Sequence, residues 1–283
     1  MRAADVVELV RLPAALTVPG DSLAGAAAAG WPCGARTAAL PFASAAFYWA
    51  GMALNDWADR DLDAVERPER PIPSGRVTPS EALAVAAGLT GAGLACAAVA
   101  GRRPLAVAAA LAAAVWTYDV VAKPTLAGPV VMASTRVLDV LLGAAGDRAA
   151  VGPAALVGVH TLAVTVLSRG EVHGATSTQA WTAVAATVGV AAGAVATGRR
   201  RPRDVVLAAG LAVAYAAAVL PAQLDAARRP DAGRVRRATG VGIRGMVPLQ
   251  AALAAGRGAA GVAAGLLAAV PIARAGMRRV SAT

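Results

Sequence analysis

Long apolar runs rich in Ala, Val and Leu alternate with short polar stretches along the whole of this 283-residue chain. Nine runs have the length a helix needs to cross a hydrocarbon layer about 30 Å thick. They lie near residues 12–30, 38–57, 80–100, 104–122, 126–146, 150–168, 177–197, 204–222 and 246–273. The last is long enough to hold a break, which Gly256, Gly258 and Gly261 mark. Glycines scattered among the alanines suit close packing in lipid, where small side chains let helix backbones approach. No linker rich in Pro or Ser divides the chain, and no fixed repeat is visible. The pattern predicts a single all-α domain over residues 1–283: a polytopic membrane helix bundle of about nine transmembrane helices around a central, partly polar cavity.

Between the runs, polar residues gather in four places. The first comes after run two, from Asn55 to Arg76, where Pro68, Pro71 and Pro73 must end any helix and stiffen the chain beyond it. The second holds Tyr118, Asp119 and Lys123. The third reads Ser168-Arg169-Gly170-Glu171-Val172-His173-Gly174, and the fourth is an Arg-rich stretch expected as a long loop from Arg228 to Arg244. If consecutive spans alternate in direction, all four lie at one membrane face, with the N-terminus.

The first stretch carries the densest chemistry: Asn55-Asp56-Trp57-Ala58-Asp59-Arg60-Asp61-Leu62-Asp63. On a helix turning 100° per residue, with Asp56 at zero, Asp59 falls at about 300°, Asp63 at about 340° and Asn55 at about 260°. Asp61, at about 140°, points elsewhere. Three carboxylates and an amide oxygen thus share one face beside an apolar helix, where unpaired like charges are costly. A hard divalent cation relieves that repulsion, and Mg²⁺ favours sparse carboxylate ligation completed by water and phosphate oxygens. The bland alternative is a solvated loop whose carboxylates pair with Arg60, Arg67 and Arg70.

Composition agrees with a membrane protein. Mean hydropathy is +0.58 and 16% of residues are charged, against about 25% in an ordinary soluble domain. The net charge is +10 and Lys123 is the only lysine. The arginines sit in short loops between apolar runs, so phosphate-bearing lipid or substrate is the expected partner, and nucleic acid is not. The run at Arg199–Arg203 reads as a surface that meets anionic headgroups. Cys33 and Cys96 have no ligand spacing, and Asp5 and Glu8 stand where a signal peptide would be basic. Basic residues divide almost evenly between the two faces, with a slight excess that places the acidic face in the cytoplasm of a cell membrane.

Asn55-Asp56-x-x-Asp59-x-x-x-Asp63, continued by Arg67-Pro68-Glu69-Arg70-Pro71-Ile72-Pro73-Ser74-Gly75-Arg76, resembles the first Asp-rich motif of the UbiA superfamily of intramembrane prenyltransferases. Tyr118 to Lys123 is similar to that family's Tyr…Lys segment, and Arg136-Val137-Leu138-Asp139-Val140-Leu141-Leu142-Gly143 to its Arg-containing fifth helix. One departure stands out. Where the family carries a second Asp-rich motif, this chain has Glu171 as the lone carboxylate, with His173 beside it. In this the chain is more similar to the EboC-like branch than to the quinone or haem branches.

The resemblance implies Mg²⁺-dependent transfer of an isoprenyl chain from a polyprenyl diphosphate to an unidentified acceptor, through an allylic carbocation. Asn55, Asp56, Asp59 and Asp63 are expected to hold Mg²⁺, with Glu171 across the cavity. Asp56, Asp59, Asp63 and Lys123 would carry catalysis, while Arg60, Arg67, Arg70, Lys123, Arg136 and Arg169 would bind the diphosphate. Aromatic rings, sugars, cyclitols and glycerol phosphates all stay open as acceptors. Several residues have structural alternatives: Lys123 as a snorkelling cation, Tyr118 as an interface anchor, Arg136 with Asp139 as an i,i+3 ion pair, and His160 in an interhelical hydrogen bond. A phosphatidyltransferase of the CDP-alcohol class matches only the Asp59-x-x-x-Asp63 pair. The main alternative function is a lipid-binding or transport protein that keeps the fold without turnover.

Overall fold

A computed structural model describes residues 2–12, 18–198 and 201–280, with side chains as far as Ile272. Residues 13–17 of the first expected span, and Arg199 and Arg200, lie outside the described residues. All regular structure among the described residues is helical: α1 (Ala3–Leu9), α2 (Gly20–Ala28), α3 (Ala39–Ala58), α4 (Arg60–Glu66), α5 (Pro79–Ala100), α6 (Arg102–Thr117), α7 (Gly128–Gly143), α8 (Val151–Ser168), α9 (Ser177–Ala196), α10 (Pro202–Arg228), α11 (Ala232–Ala255) and α12 (Ala260–Val280). Among the described residues six segments are long and apolar enough to cross a membrane: Gly34–Ala58, Pro79–Ala100, Arg102–Ala122, Arg148–Ser168, Ser177–Ala196 and Pro202–Arg228. Phe42, Leu126 and Val206 face outward on this bundle, as suits surfaces that meet lipid.

Local sequence explains the boundaries. Thr78 and Glu81 form a capping box ahead of Pro79 at the start of α5, and Gly101 ends that helix at φ 133°. Thr176 and Gln179 cap α9 in the same way. The ninth expected run divides as its glycines imply, α11 ending at Ala255 and α12 resuming at Ala260, with Gly258 at φ 85° between them.

The Arg-rich stretch is not the long loop expected. Only residues 229–231 separate α10 from α11. Asp231 caps the new helix by accepting the Arg234 backbone N–H at 3.0 Å. Val235, Ala238, Thr239 and Gly242 then form a buried helical stripe, so the segment is an amphipathic helix whose arginines occupy the other face.

Ala-rich faces pack in two main groups. Val140, Val157, Val190, Tyr215, Val219, Leu249 and Leu253 join α7–α11, while Leu40, Phe47, Ala97, Leu111 and Leu142 join α3 to α5–α7. His160 ties α8 to its neighbours, with Nδ1 2.7 Å from the Tyr215 hydroxyl and Nε2 3.0 Å from the Gly242 carbonyl. A carbonyl only accepts, so Nε2 carries the proton and Tyr215 donates to Nδ1. This fulfils the interhelical role expected of His160.

α2 and α7 approach until backbone meets backbone. A Cβ at Gly143 would stand 1.8 Å from the Ser22 carbonyl oxygen, and one at Gly25 1.8 Å from that of Val140. Gly143→Ala is therefore expected to lower stability by about 1–3 kcal/mol, read as a lower Tm in detergent. Gly91→Ala, at a helical site with nothing within 4 Å, is expected to hold or raise it.

Candidate functional site

The acidic residues sit where α3 hands over to α4. Asn55 and Asp56 occupy the last turn of α3, Asp59 is the joint, and Asp63 lies in α4. The helical repeat survives the joint, since Asp59 N–H bonds to Asn55 O at 2.9 Å and Asp63 N–H to Asp59 O at 2.8 Å. Asp56 and Asp63 are buried, while Asp61 is 90% exposed, as the angular reading requires.

Beyond Glu66 the prolines turn the chain back. Ser74 N–H and Val77 N–H bond to the carbonyls of Arg70 and Pro71, each at 3.0 Å, while Ile72 and Val77 pack with Leu9 and Leu54. This turn sets Arg70 between two carboxylates: its Nη1 is 2.5 Å from Asp63 and 3.4 Å from Asp56. Arg67 stands 3.8 Å from Asp63. Lys123 pairs with Asp59.

Two further partners have no role among the expected site residues, although Asp119 lies in the Tyr118–Lys123 stretch. Arg11 donates to Asp56 at 2.9 Å and to the Met52 sulfur at 3.2 Å. It reaches them from a left-handed backbone at φ 49°, a conformation that costs a non-glycine residue about 1–3 kcal/mol and clusters at functional sites. Asp119, almost fully buried, accepts from the Asn55 amide at 3.2 Å. It lies in a π turn, Tyr118–Ala122, where Lys123 N–H bonds five residues back to Tyr118 O at 2.9 Å. No signal in the sequence marks that turn, and Arg11 is remote from every motif.

Other expected members sit elsewhere. Arg60 lies over the Trp57 ring at 5.2 Å, donates to the Trp57 carbonyl and pairs with exposed Asp61, so stacking draws it off the cluster. Arg169 donates to the Thr125 carbonyl, beside the Lys123 segment. Arg136 pairs with Asp21 at 2.9 Å and not with Asp139, whose carboxylate accepts from Ser44 at 2.7 Å. The i,i+3 pair gives way because α2 crosses α7 closely enough to offer a fully buried carboxylate. The Glu171 carbonyl accepts from Arg236, and no hydrogen bond or ion pair among the described residues joins its side chain to the acidic cluster.

Two cavities meet inside the bundle. The smaller, about 260 Å³, runs along α3 from Asn55 to Ser44, about 16 Å by helical rise, with Arg11 and Asp119 among its lining and apolar walls from Phe47, Leu111 and Val115. The larger, about 480 Å³, lies between α8 and α11. Val18, Tyr48, Tyr118, Met132 and Arg136 line both.

Among the described residues, no three His, Cys, Asp or Glu side chains converge at metal-holding distance. Each carboxylate is drawn instead to its own cation. The donor set still fits a hard ion, because it is all oxygen and because Arg70 Nη1 already puts one positive centre within reach of both Asp56 and Asp63. Glu171 is not joined to that set.

Comparison with known proteins agrees with the architecture. The sequence model of the UbiA prenyltransferase family matches residues 15–168, more than half of the chain. The digeranylgeranylglyceryl phosphate synthase of Methanopyrus kandleri is 42% identical over 79 residues, which are 28% of this chain and 29% of that protein. The Natronomonas pharaonis protein of the same name is 40% identical over 83 residues, 29% of this chain and 30% of its own. The matched segments thus span under a third of these relatives' lengths. A structure of a UbiA homologue from Archaeoglobus fulgidus bound to DMAPP and Mg²⁺ aligns over 91% of this chain and 99% of its own, with a TM-score of 0.63 and 14% identity. One described as giving insight into digeranylgeranylglyceryl phosphate synthase in membranes covers 89% and 97%, with a TM-score of 0.65 and 16% identity. At these identities the structural likeness is one of fold.

Arg76 ties α1, and through it Arg11, to the site. It donates to Glu8 at 2.5 and 2.9 Å and to Asp5 at 3.4 Å. Arg76→Gln is expected to speed amide exchange across residues 3–9. Asp5 is held at about 2, first by the Arg2 side-chain hydrogen bond and then by the Arg2 backbone N–H, against an ordinary 3.8. Its folded value being the lower, its stabilisation of α1 is complete above about pH 4 and fades as pH falls through about 2. Exchange protection of α1 measured against pH checks this.

Proposed function

This chain belongs to the UbiA prenyltransferase family, and we propose that it transfers an isoprenyl chain from a polyprenyl diphosphate to an acceptor, with Mg²⁺, inside a cell membrane. The observation that carries the reading is the pairing of Asp56, Asp59 and Asp63 with Arg11, Arg70 and Lys123 beside a chamber that Arg11 and Asn55 line and Phe47, Leu111 and Val115 wall. A metal–diphosphate pair brings both charges such a site needs: its cation to the carboxylates, and its anion to the side chains they release.

Asn55, Asp56, Asp59 and Asp63 would hold Mg²⁺, which supplies positive charge against the leaving diphosphate. Arg11, Arg67, Arg70 and Lys123 bind the diphosphate oxygens, the arginines by forked contacts and Lys123 as a point charge, with Arg169 behind the Lys123 segment. They stabilise the charge that grows on the diphosphate as the C–O bond breaks. Phe47, Leu111 and Val115 wall the smaller chamber, where they exclude water from the allylic cation. Arg136 stands at the junction through which the acceptor attacks. The whole chain acts as one domain, with the acidic face in the cytoplasm.

Purified protein given radiolabelled geranylgeranyl diphosphate, Mg²⁺ and a host lipid extract that supplies the acceptor should release diphosphate as the label passes to a lipid, and chelation should stop it. Asp56→Ala and Asp59→Ala are each expected to slow release on the order of 100-fold. Unchanged turnover in both removes this metal assignment. Donor binding without any release returns the chain to the non-catalytic, lipid-binding alternative.

A further inference from the structure

We propose that Asp119 is the counter-charge of the allylic cation: its free carboxylate oxygen faces the carbon that loses the diphosphate and speeds that ionisation. This rests on the preceding reading, since it assigns a further residue to the same donor site.

Asp56, Asp59 and Asp63 each meet a cation, at Arg11, Lys123 and Arg70. Asp119 meets none among the described residues, although only 9% of it is exposed. Its one partner is the Asn55 amide, which donates to Oδ1 at 3.2 Å and leaves Oδ2 without a hydrogen bond. A carboxylate buried without positive charge is costly beside apolar helices, and it marks a place where positive charge arrives.

The direction of Oδ2 says where. A Cβ added at Gly51 would stand 3.8 Å from it and 3.3 Å from Val115 Cγ1. Gly51 is four residues before Asn55 on α3, about 6 Å by helical rise, whereas Asp59 and Asp63 lie beyond Asn55 the other way. Oδ2 therefore looks along the smaller chamber, which Gly51, Asn55, Val115 and Asp119 all line. The glycine matters here, because position 51 puts no side chain between the carboxylate and that space.

Either a metal ion or a cation made in the reaction would satisfy such an oxygen. The metal fits less well. Among the described residues no three Asp, Glu, His or Cys side chains converge, so Asp119 is not gathered with Asp56 and Asp59. A carboxylate only accepts, so Asn55 turns its N–H to Asp119 and its own oxygen away. The reaction's cation fits better. With the diphosphate among Arg11, Arg70 and Lys123, the carbon it leaves lies on the chamber side of Asn55. The walls there are Phe47, Leu111 and Val115, which screen little, so a fixed negative charge acts strongly. As the C–O bond breaks, its electron pair leaves with the diphosphate and positive charge spreads over the allylic carbons. Asp119 forms no bond and takes no proton; it stabilises that charge as it develops.

Full-length protein in phosphatidylcholine nanodiscs tests this with three probes. An unreactive geranylgeranyl thiolodiphosphate with Mg²⁺ reads donor binding. An ammonium analogue of the geranylgeranyl cation and its neutral carbon analogue, each with Mg²⁺ and inorganic diphosphate, read the preference for positive charge. The parent should bind the ammonium roughly tenfold tighter than the neutral analogue, and Asp119→Asn should erase that preference. The same variant should bind the thiolodiphosphate as the parent does. With geranylgeranyl diphosphate and the lipid extract, its single-turnover release of diphosphate should slow on the order of 100-fold. Gly51→Ala, whose methyl would stand beside Oδ2, should cut the preference several-fold with the charge retained. Equal binding of the two analogues by the parent overturns the assignment. Parental preference in Asp119→Asn does the same or, should that variant not fold, parental preference in Gly51→Ala. Weaker Mn²⁺ binding by Asp119→Asn also overturns it, since Asp119 would then support the metal. Failure of the thiolodiphosphate to bind the parent removes the donor reading beneath; binding without ammonium preference removes only the role of Asp119.

Discussion

A carboxylate beside an apolar helix must meet positive charge, and this protein meets that demand by folding cations back onto its acidic turn. Arg70 is the clearest case. It reaches both Asp56 and Asp63 only because three prolines reverse the chain after α4 and because Ile72 and Val77 are buried with Leu9 and Leu54. The same apolar contacts that hold the turn hold α1, and α1 leads to Arg11. Packing and charge neutralisation are therefore one arrangement, which explains why the polar site survives among Ala-rich helices.

The two chambers extend this logic into the bundle. One runs along α3 between the apolar walls of Phe47, Leu111 and Val115, with Arg11 and Asp119 among its lining. The other, between α8 and α11, sets the hydroxyls of Thr161, Thr165, Ser168 and Thr239 in a wall that is otherwise largely aliphatic. Tyr118 and Arg136 belong to both, so they stand where the two chambers communicate. Asp21 holds Arg136 from a helix that touches α7 backbone to backbone, making the glycine contacts of that crossing part of the site's support.

Much of this is legible in the sequence. Apolar runs locate most of the helices, the 100° repeat puts Asp56, Asp59 and Asp63 together and Asp61 apart, and the Pro-rich turn stands where its prolines predict. Residues joined by long-range packing are not legible. Arg11 is forty-five positions from Asp56, and nothing nearby in sequence marks it. Arg136 and Asp139 look like a natural local pair, yet tertiary contact supplies Asp21 instead. The first half of α11 reads as a loop because its arginines mask the buried stripe of Val235, Ala238 and Gly242. Arg60 has the right position in the motif but a better partner in the Trp57 ring.

The π turn at Tyr118–Ala122 sets the phase of the chain that leaves it. An i→i+5 turn holds one residue more than an α turn, and that surplus aims Lys123 at Asp59 while Asp119 stays beneath Asn55. Losing a single residue there would restore ordinary winding and swing the lysine by about 100°. The motif letters would all remain, yet the pairing would be gone. In that segment length, as much as identity, decides whether the lysine and the aspartate meet.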